Sequence, residues 1–158
     1  MVSQSVPPGM LDPTEGDADI DAGREALVDL HTTTIDVLKG YEKMVEKAEP
    51  HFRPTVQRFL DLHTRHAAAL ERMLVAKGAE VDADGSLMGT INRVVVGMRA
   101  VFDEIDEDVL GNIKDGEDHV LDAFDDAINS AQTLEDASAL SAMRDELVLL
   151  LRDDGAAD

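Results

Sequence analysis

The stretch from Phe52 to Ser86, FRPTVQRFLDLHTRHAAALERMLVAKGAEVDADGS, carries the pattern that decides the fold. Its apolar residues recur at the i, i+3, i+4, i+7 spacing of one helix face, at Val56, Phe59, Leu60, Ala67, Leu70 and Leu74. Such a stripe has to be buried, so we expect a long helix packed against others. Gly78 is a natural residue to end that helix, and Ser86 is a good N-cap for the next one.

Two histidines, His63 and His66, share this helix face. A buried imidazole needs hydrogen-bonding partners, because an unpaired polar ring in a core costs free energy. One interpretation is therefore a pair of hydrogen-bonded core histidines. A second is a pair of metal ligands, since imidazoles at positions i and i+3 can bind one ion. A third is a pair of exposed histidines with neither role.

Composition excludes several classes of protein. The chain has no cysteine, which removes disulfide frameworks, zinc knuckles and thiol nucleophiles. Its 34 acidic and 14 basic residues give a net charge of -20, which repels nucleic acid and anionic membrane surfaces. No apolar run is long enough for a membrane span, and the N-terminus lacks a secretory pattern. We expect a cytoplasmic protein with no nucleic-acid or membrane partner.

The periodicity along the chain predicts helices and no strands. We expect residues 1–20 to form a flexible acidic tail, 21–153 a single helical domain, and 154–158 a frayed end. Within the domain, the predicted helices run from about Ala22 to Glu49, from Phe52 to Gly78, from Leu87 to Phe102, from Asp106 or Asp108 to Asn129, and from Thr133 onward. The fold class is therefore all-α.

The middle helix determines the topology. About 16 helical residues span about 24 Å, which can carry the chain from one end of a bundle to the other. The second and fourth predicted helices would then run parallel, as in ferritin-like four-helix bundles with a helical crossover. The apolar residues of this crossover, at 94–96 and Met98, surround most of its circumference. We expect part of that surface to pack against a second subunit in a homodimer.

Three segments carry a family resemblance: KGYEKM at 39–44, AKGAEVDADGSLMG at 76–89, and DGEDHVLDAFDDAI at 115–128. Over about residues 25–153 the chain resembles a ferritin-like family of bacterial four-helix-bundle proteins of unknown function. The best match is Gly116-Glu117-Asp118, which implies that Glu117 is either a carboxylate retained from the family's metal site or a polar residue at the edge of the core. Elsewhere the chain departs from the family pattern. It has Leu38 where the family has Glu, Asn92 where it has His, and Met143 or Arg144 where it has a second His.

Pairing the helices about their turns brings polar residues to one level of the predicted core: His31, Thr34, His63, His66, Glu117 and, if it faces inward, Arg144. The candidate metal ligands are His31, His63, His66 and Glu117. A di-iron site takes two Glu and two Glu-x-x-His pairs, whereas this layer has one inward Glu. If Met143 faces the core instead, Arg144 lies at the surface.

Two functions follow from this layer. The first is a non-catalytic ferritin-like bundle with a degenerate metal site, either structural or stress-associated. The alternative is a ferritin-like protein that binds a divalent metal, iron or manganese, through core His and Glu residues, with oxygen or peroxide chemistry at that metal. A histidine phosphotransfer bundle is disfavoured, because carboxylates surround the exposed His119. No particular small-molecule partner is indicated.

Overall fold

The computed structural model describes residues 13–79 and 109–154, with the backbone alone for 13–19, and these residues form four helices. They are α1 (Pro13–Lys47), α2 (Arg53–Ala76), α3 (Leu110–Asn129) and α4 (Leu134–Asp153). The described ranges contain no strand. The prediction of an all-α four-helix bundle is confirmed. Helix α1 begins at Pro13 rather than near Ala22, in keeping with the tolerance of proline in the first turn of a helix.

The turns around α2 follow the sequence signals closely. The amides of Phe52 and Arg53 both donate to the carbonyl of Glu49, at 2.9 Å, and Pro54 occupies the first turn of the helix. At the other end, Gly78 has φ +91°, a conformation that favours glycine. The amides of Gly78 and Ala79 donate back to the carbonyls of Val75 and Leu74, which completes a Schellman cap.

Thr133 caps α4 as predicted. Its side chain accepts a 3.1 Å hydrogen bond from the amide of Asp136. The carboxylate of Asp136 lies 2.6 Å from Nζ of Lys77 on α2. Asp136 therefore links two helices through an ion pair at the end of the bundle.

Contacts at the two ends fix the directions of the helices. Arg24 of α1 approaches Gly78, and Lys77 pairs with Asp136, so the start of α1, the end of α2 and the start of α4 meet at one end. Arg58 pairs with Asp154 at the opposite end. Helix α1 packs against α2 and α3, and α4 packs against α3 and, more sparsely, α2. Each packed pair is antiparallel, so α2 and α3 run parallel.

The core is built mainly from aliphatic side chains and four aromatic rings, those of Tyr41, Phe52, Phe59 and Phe124. The apolar periodicity of α1 predicts that Leu38 and Val45 lie on its buried stripe, but both are only partly buried. Leu30, Val37 and Met44 are buried instead. The predicted crossover helix, with residues 94–96 and Met98, lies outside the described residues.

Gly23 lets α1 approach the turn between α3 and α4. A Cβ added there would lie 2.6 Å from the carbonyl oxygen of Ser130, a backbone atom that cannot move aside cheaply. We expect Gly23→Ala to lower the free energy of unfolding by about 1–3 kcal/mol. The matched control is Gly111→Ala in α3, where a Cβ meets nothing within 4 Å, and there the gain in helix propensity should stabilise by up to about 1 kcal/mol. Urea unfolding followed by circular dichroism measures both, and equal effects of the two changes would contradict the close approach.

Candidate functional site

Glu117 is the centre of the polar core. Its side chain lies on α3 and is fully buried, as is that of His63 on α2. The hydroxyl of Tyr41 on α1 donates to Oε1 of Glu117 at 2.5 Å, and Nε2 of His63 lies 2.7 Å from the same oxygen. An ionised Glu117 is an acceptor at both contacts, so Nε2 of His63 then carries the hydrogen. Three helices thus meet at one carboxylate oxygen.

Aromatic rings hold this cluster in place. Tyr41 is stacked against Phe59 at a centroid distance of 5.5 Å and against His63 at 5.6 Å, with interplanar angles of 11° and 13°. The ring of His66 lies edge-on to His63 at 6.4 Å and to Phe124 of α3 at 5.9 Å. The orientation of His63 toward Glu117 is therefore fixed by packing as well as by hydrogen bonding.

Several buried polar atoms of this layer have no hydrogen-bond partner among the residues that the structure describes: Oε2 of Glu117, Nδ1 of His63, and both ring nitrogens of His31 and of His66. Buried polar atoms are normally paired with protein groups or ordered water. The layer therefore has donor and acceptor capacity for water or for a ligand.

The structure brings three of the four predicted metal ligands together, namely His63, His66 and Glu117. His31 is buried farther along the bundle, where the carboxylate of Glu71 raises its pKa against the larger lowering by burial. Glu71 lies five residues beyond His66 on α2, so His31 is about one helical turn away from the level at which the sequence analysis placed it. Thr34 was predicted in the polar layer, but its hydroxyl donates to the carbonyl of Leu30 at 2.8 Å within its own helix.

Met143, and not Arg144, faces the core. Met143 is buried, whereas Arg144 is partly exposed and its Nε donates to Oδ1 of Asp125 on α3 at 2.8 Å. Arg144 therefore does not point into the core, as one of the two possibilities from the sequence had it. The hydrogen-bond partners of Glu117 are Tyr41 and His63 instead.

Glu146 of α4 is a neighbour of the cluster that sequence reasoning missed. Its Oε1 lies 3.7 Å from Nε2 of His66, while its Oε2 accepts a 3.0 Å hydrogen bond from Arg65. Burial lowers the pKa of His66 to about 4 and outweighs the opposing effect of the Glu146 carboxylate. His66 is consequently a neutral imidazole near pH 7.

Tyr41 was also missed as a site residue, although the sequence held a signal for it. It is the chain's single tyrosine and lies on the predicted buried face of the first helix, where its hydroxyl needs a partner. Burial, followed by the charge and hydrogen bond of Glu117, raises its pKa well above the ordinary value of 10.0. The phenol therefore stays protonated and acts as a donor.

Among the side chains that the structure describes, in residues 20–79 and 109–154, no three His, Asp or Glu groups lie close enough together to hold an ion. The cluster instead joins a carboxylate, a phenol and an imidazole through hydrogen bonds.

Comparison with known proteins places the chain in a family. Residues 24–130, more than half of the chain, match a family described as a domain of unknown function (DUF2383). The chain belongs to the DUF2383 family. The match extends from α1 to the end of α3, so α4, with Met143 and Glu146, lies beyond it. No curated protein and no solved structure matches the chain.

The helices described in this DUF2383 protein include none that is long and apolar enough to cross a membrane.

The lowered pKa of His66 predicts a specific pH dependence. In the unfolded chain His66 titrates near 6.5, whereas in the folded protein it titrates near 4. Between these values the unfolded state binds more protons, so stability is full above about pH 6.5 and falls as the pH falls toward 4, by roughly 3 kcal/mol.

The test compares His66→Asn with His119→Asn, which alters an exposed histidine of α3. Urea unfolding is measured between pH 4 and 7. As the pH falls, the free energy of unfolding should decrease less in His66→Asn than in the parent protein, and as much in His119→Asn as in the parent. Parallel pH profiles for all three proteins would show that His66 titrates normally in the folded state.

Proposed function

We propose that this DUF2383 protein is a non-catalytic, ferritin-like helical bundle whose core polar layer is held by hydrogen bonds in place of a metal ion. The observation that carries the proposal is the double engagement of Oε1 of Glu117 by Tyr41 and His63. A carboxylate oxygen that accepts two short hydrogen bonds is stabilised internally and has little capacity left for a cation.

The arrangement of the helices supports the ferritin-like part of the proposal. Helices α2 and α3 run parallel, so the chain between Ala79 and Val109 has to join opposite ends of the bundle. A 20-residue helix is about 30 Å long, and such a distance calls for a long connection, in contrast to the short turns on either side of it. One long crossover between the second and third helices of a bundle is the ferritin-like topology.

The donor set argues against a di-iron centre. Such a centre draws carboxylates from all four helices, whereas the described core holds one buried carboxylate, Glu117, and no Glu-x-x-His pair. Val37 on α1 and Met143 on α4 are buried apolar residues. The residues present therefore do not fit the group that the family resemblance implies.

The alternative is the binding of a single divalent ion, iron or manganese, which would bring oxygen or peroxide chemistry. Oε2 of Glu117 and the ring nitrogens of His66 favour this alternative, because they are buried and have no hydrogen-bond partner among the described residues. For Nε2 of His63 to join these atoms on one ion, it has to leave Oε1 of Glu117, and the stacking of the ring on Tyr41 opposes that movement.

The same proposal includes a stress-associated role, a cytoplasmic location and a homodimer formed through the segment between α2 and α3. The protein's net charge of -20 is consistent with this proposal, because it repels nucleic acid and anionic membranes.

Metal analysis of Glu117→Gln separates the two functions. The glutamine keeps an oxygen that accepts from Tyr41, so without a metal site its stability should lie within about 1.5 kcal/mol of the parent. We expect parent and variant, purified without chelator or affinity tag, to contain far less than one metal per chain, and added Mn²⁺ or Fe²⁺ to leave both melting temperatures unchanged.

The control is Glu135→Gln, which alters an exposed carboxylate in the first turn of α4. One bound metal per chain in the parent and in Glu135→Gln, lost in Glu117→Gln, would overturn the proposal in favour of the alternative.

A further inference from the structure

A separate cavity lies at the end of the bundle where α1 starts, α2 and α3 end, and α4 begins. Its volume is about 270 Å³, and its inner walls include the apolar side chains of Leu27, Ala127 and Leu140. It is far from the Glu117 cluster, since its residues on α1 precede Tyr41 by at least fourteen positions, about 20 Å along the helix. The cavity therefore takes no part in the polar core.

The mouth of the cavity is charged. Arg24 and Lys77 line it together with Asp21 and Asp136. Lys77 is already matched by Asp136 at 2.6 Å. The guanidinium of Arg24 donates a long 3.4 Å hydrogen bond to the carbonyl of Gly78, a neutral acceptor. A carboxylate would be a stronger partner for Arg24, because a charged acceptor can engage two of its N–H groups at once.

We propose that this cavity binds a small amphipathic monocarboxylate, with the apolar chain between Leu27 and Leu140 and the acid group against Arg24. Ligand sites are commonly concave, mostly apolar and supplied with a few polar groups that fix orientation. The volume sits just below the usual range of about 300–1,000 Å³, so the ligand is small. Asp21 at the same mouth opposes an anion and weakens its binding.

The proposal is tested by calorimetric titration with butanoate, hexanoate and octanoate at fixed ionic strength. Each added methylene should tighten binding by about fourfold until the cavity is full. Octylamine, with the opposite charge on the same chain, should bind at least tenfold more weakly than octanoate. No binding of any of the three acids, or an amine that binds as tightly as the acid, overturns the proposal.

Variants locate the binding in the cavity. Ala131→Leu places a larger side chain in the cavity from a partly exposed position in the turn after α3, and should abolish octanoate binding without unfolding the protein. Arg24→Gln should weaken octanoate binding about tenfold, and Asp21→Asn should strengthen it. The matched control is Arg53→Gln, since Arg53 also donates to a backbone carbonyl, that of Ala48, at the other end of the bundle.

Arg53→Gln should leave the affinity unchanged. Octanoate binding that survives Ala131→Leu, or that weakens equally in Arg24→Gln and Arg53→Gln, would place the ligand elsewhere on the protein and contradict the assignment.

Discussion

The bundle depends on how the buried carboxylate of Glu117 is accommodated. A carboxylate removed from water is costly unless hydrogen bonds or an opposite charge compensate it. Here Tyr41 of α1 and His63 of α2 are hydrogen-bonded to one of its oxygens. These bonds to a single acceptor fix the positions of α1, α2 and α3 along one another. The rings of Tyr41, Phe59 and His63 are stacked, which ties this polar contact to the surrounding apolar core.

The helix ends set the register that makes this meeting possible. The Glu49 turn and the Schellman cap at Gly78 fix the length of α2, and the Thr133 cap fixes the start of α4. Gly23 then allows α1 to lie close to the turn after α3. The cavity behind that turn and the polar layer near the middle of α1 are consequently separate features of one bundle.

Much of the fold could be predicted from the sequence, because apolar periodicity and capping residues are local signals. The burial of His63 and His66 followed from their place on the apolar face of the second predicted helix, and it is confirmed. Glu117, which the family resemblance singled out, is buried in the core as well. The partners of Glu117 could not be predicted, because they depend on how far two helices are shifted along each other. An error of one turn in that shift placed His31 in the layer and left Tyr41 out. The choice between Met143 and Arg144 depended on the rotation of α4, which adjacent apolar and charged residues leave open.

The most direct test of the account is an alkaline titration of Tyr41, which is the only tyrosine of a chain without tryptophan. Phenolate absorbance and helical circular dichroism are followed together as the pH is raised. If the phenol is buried and bonded to Glu117, its pKa lies well above 10.0 and phenolate appears only as the helices unfold. Reversible ionisation near pH 10 in a protein that keeps its helices would show that Tyr41 does not donate to Glu117.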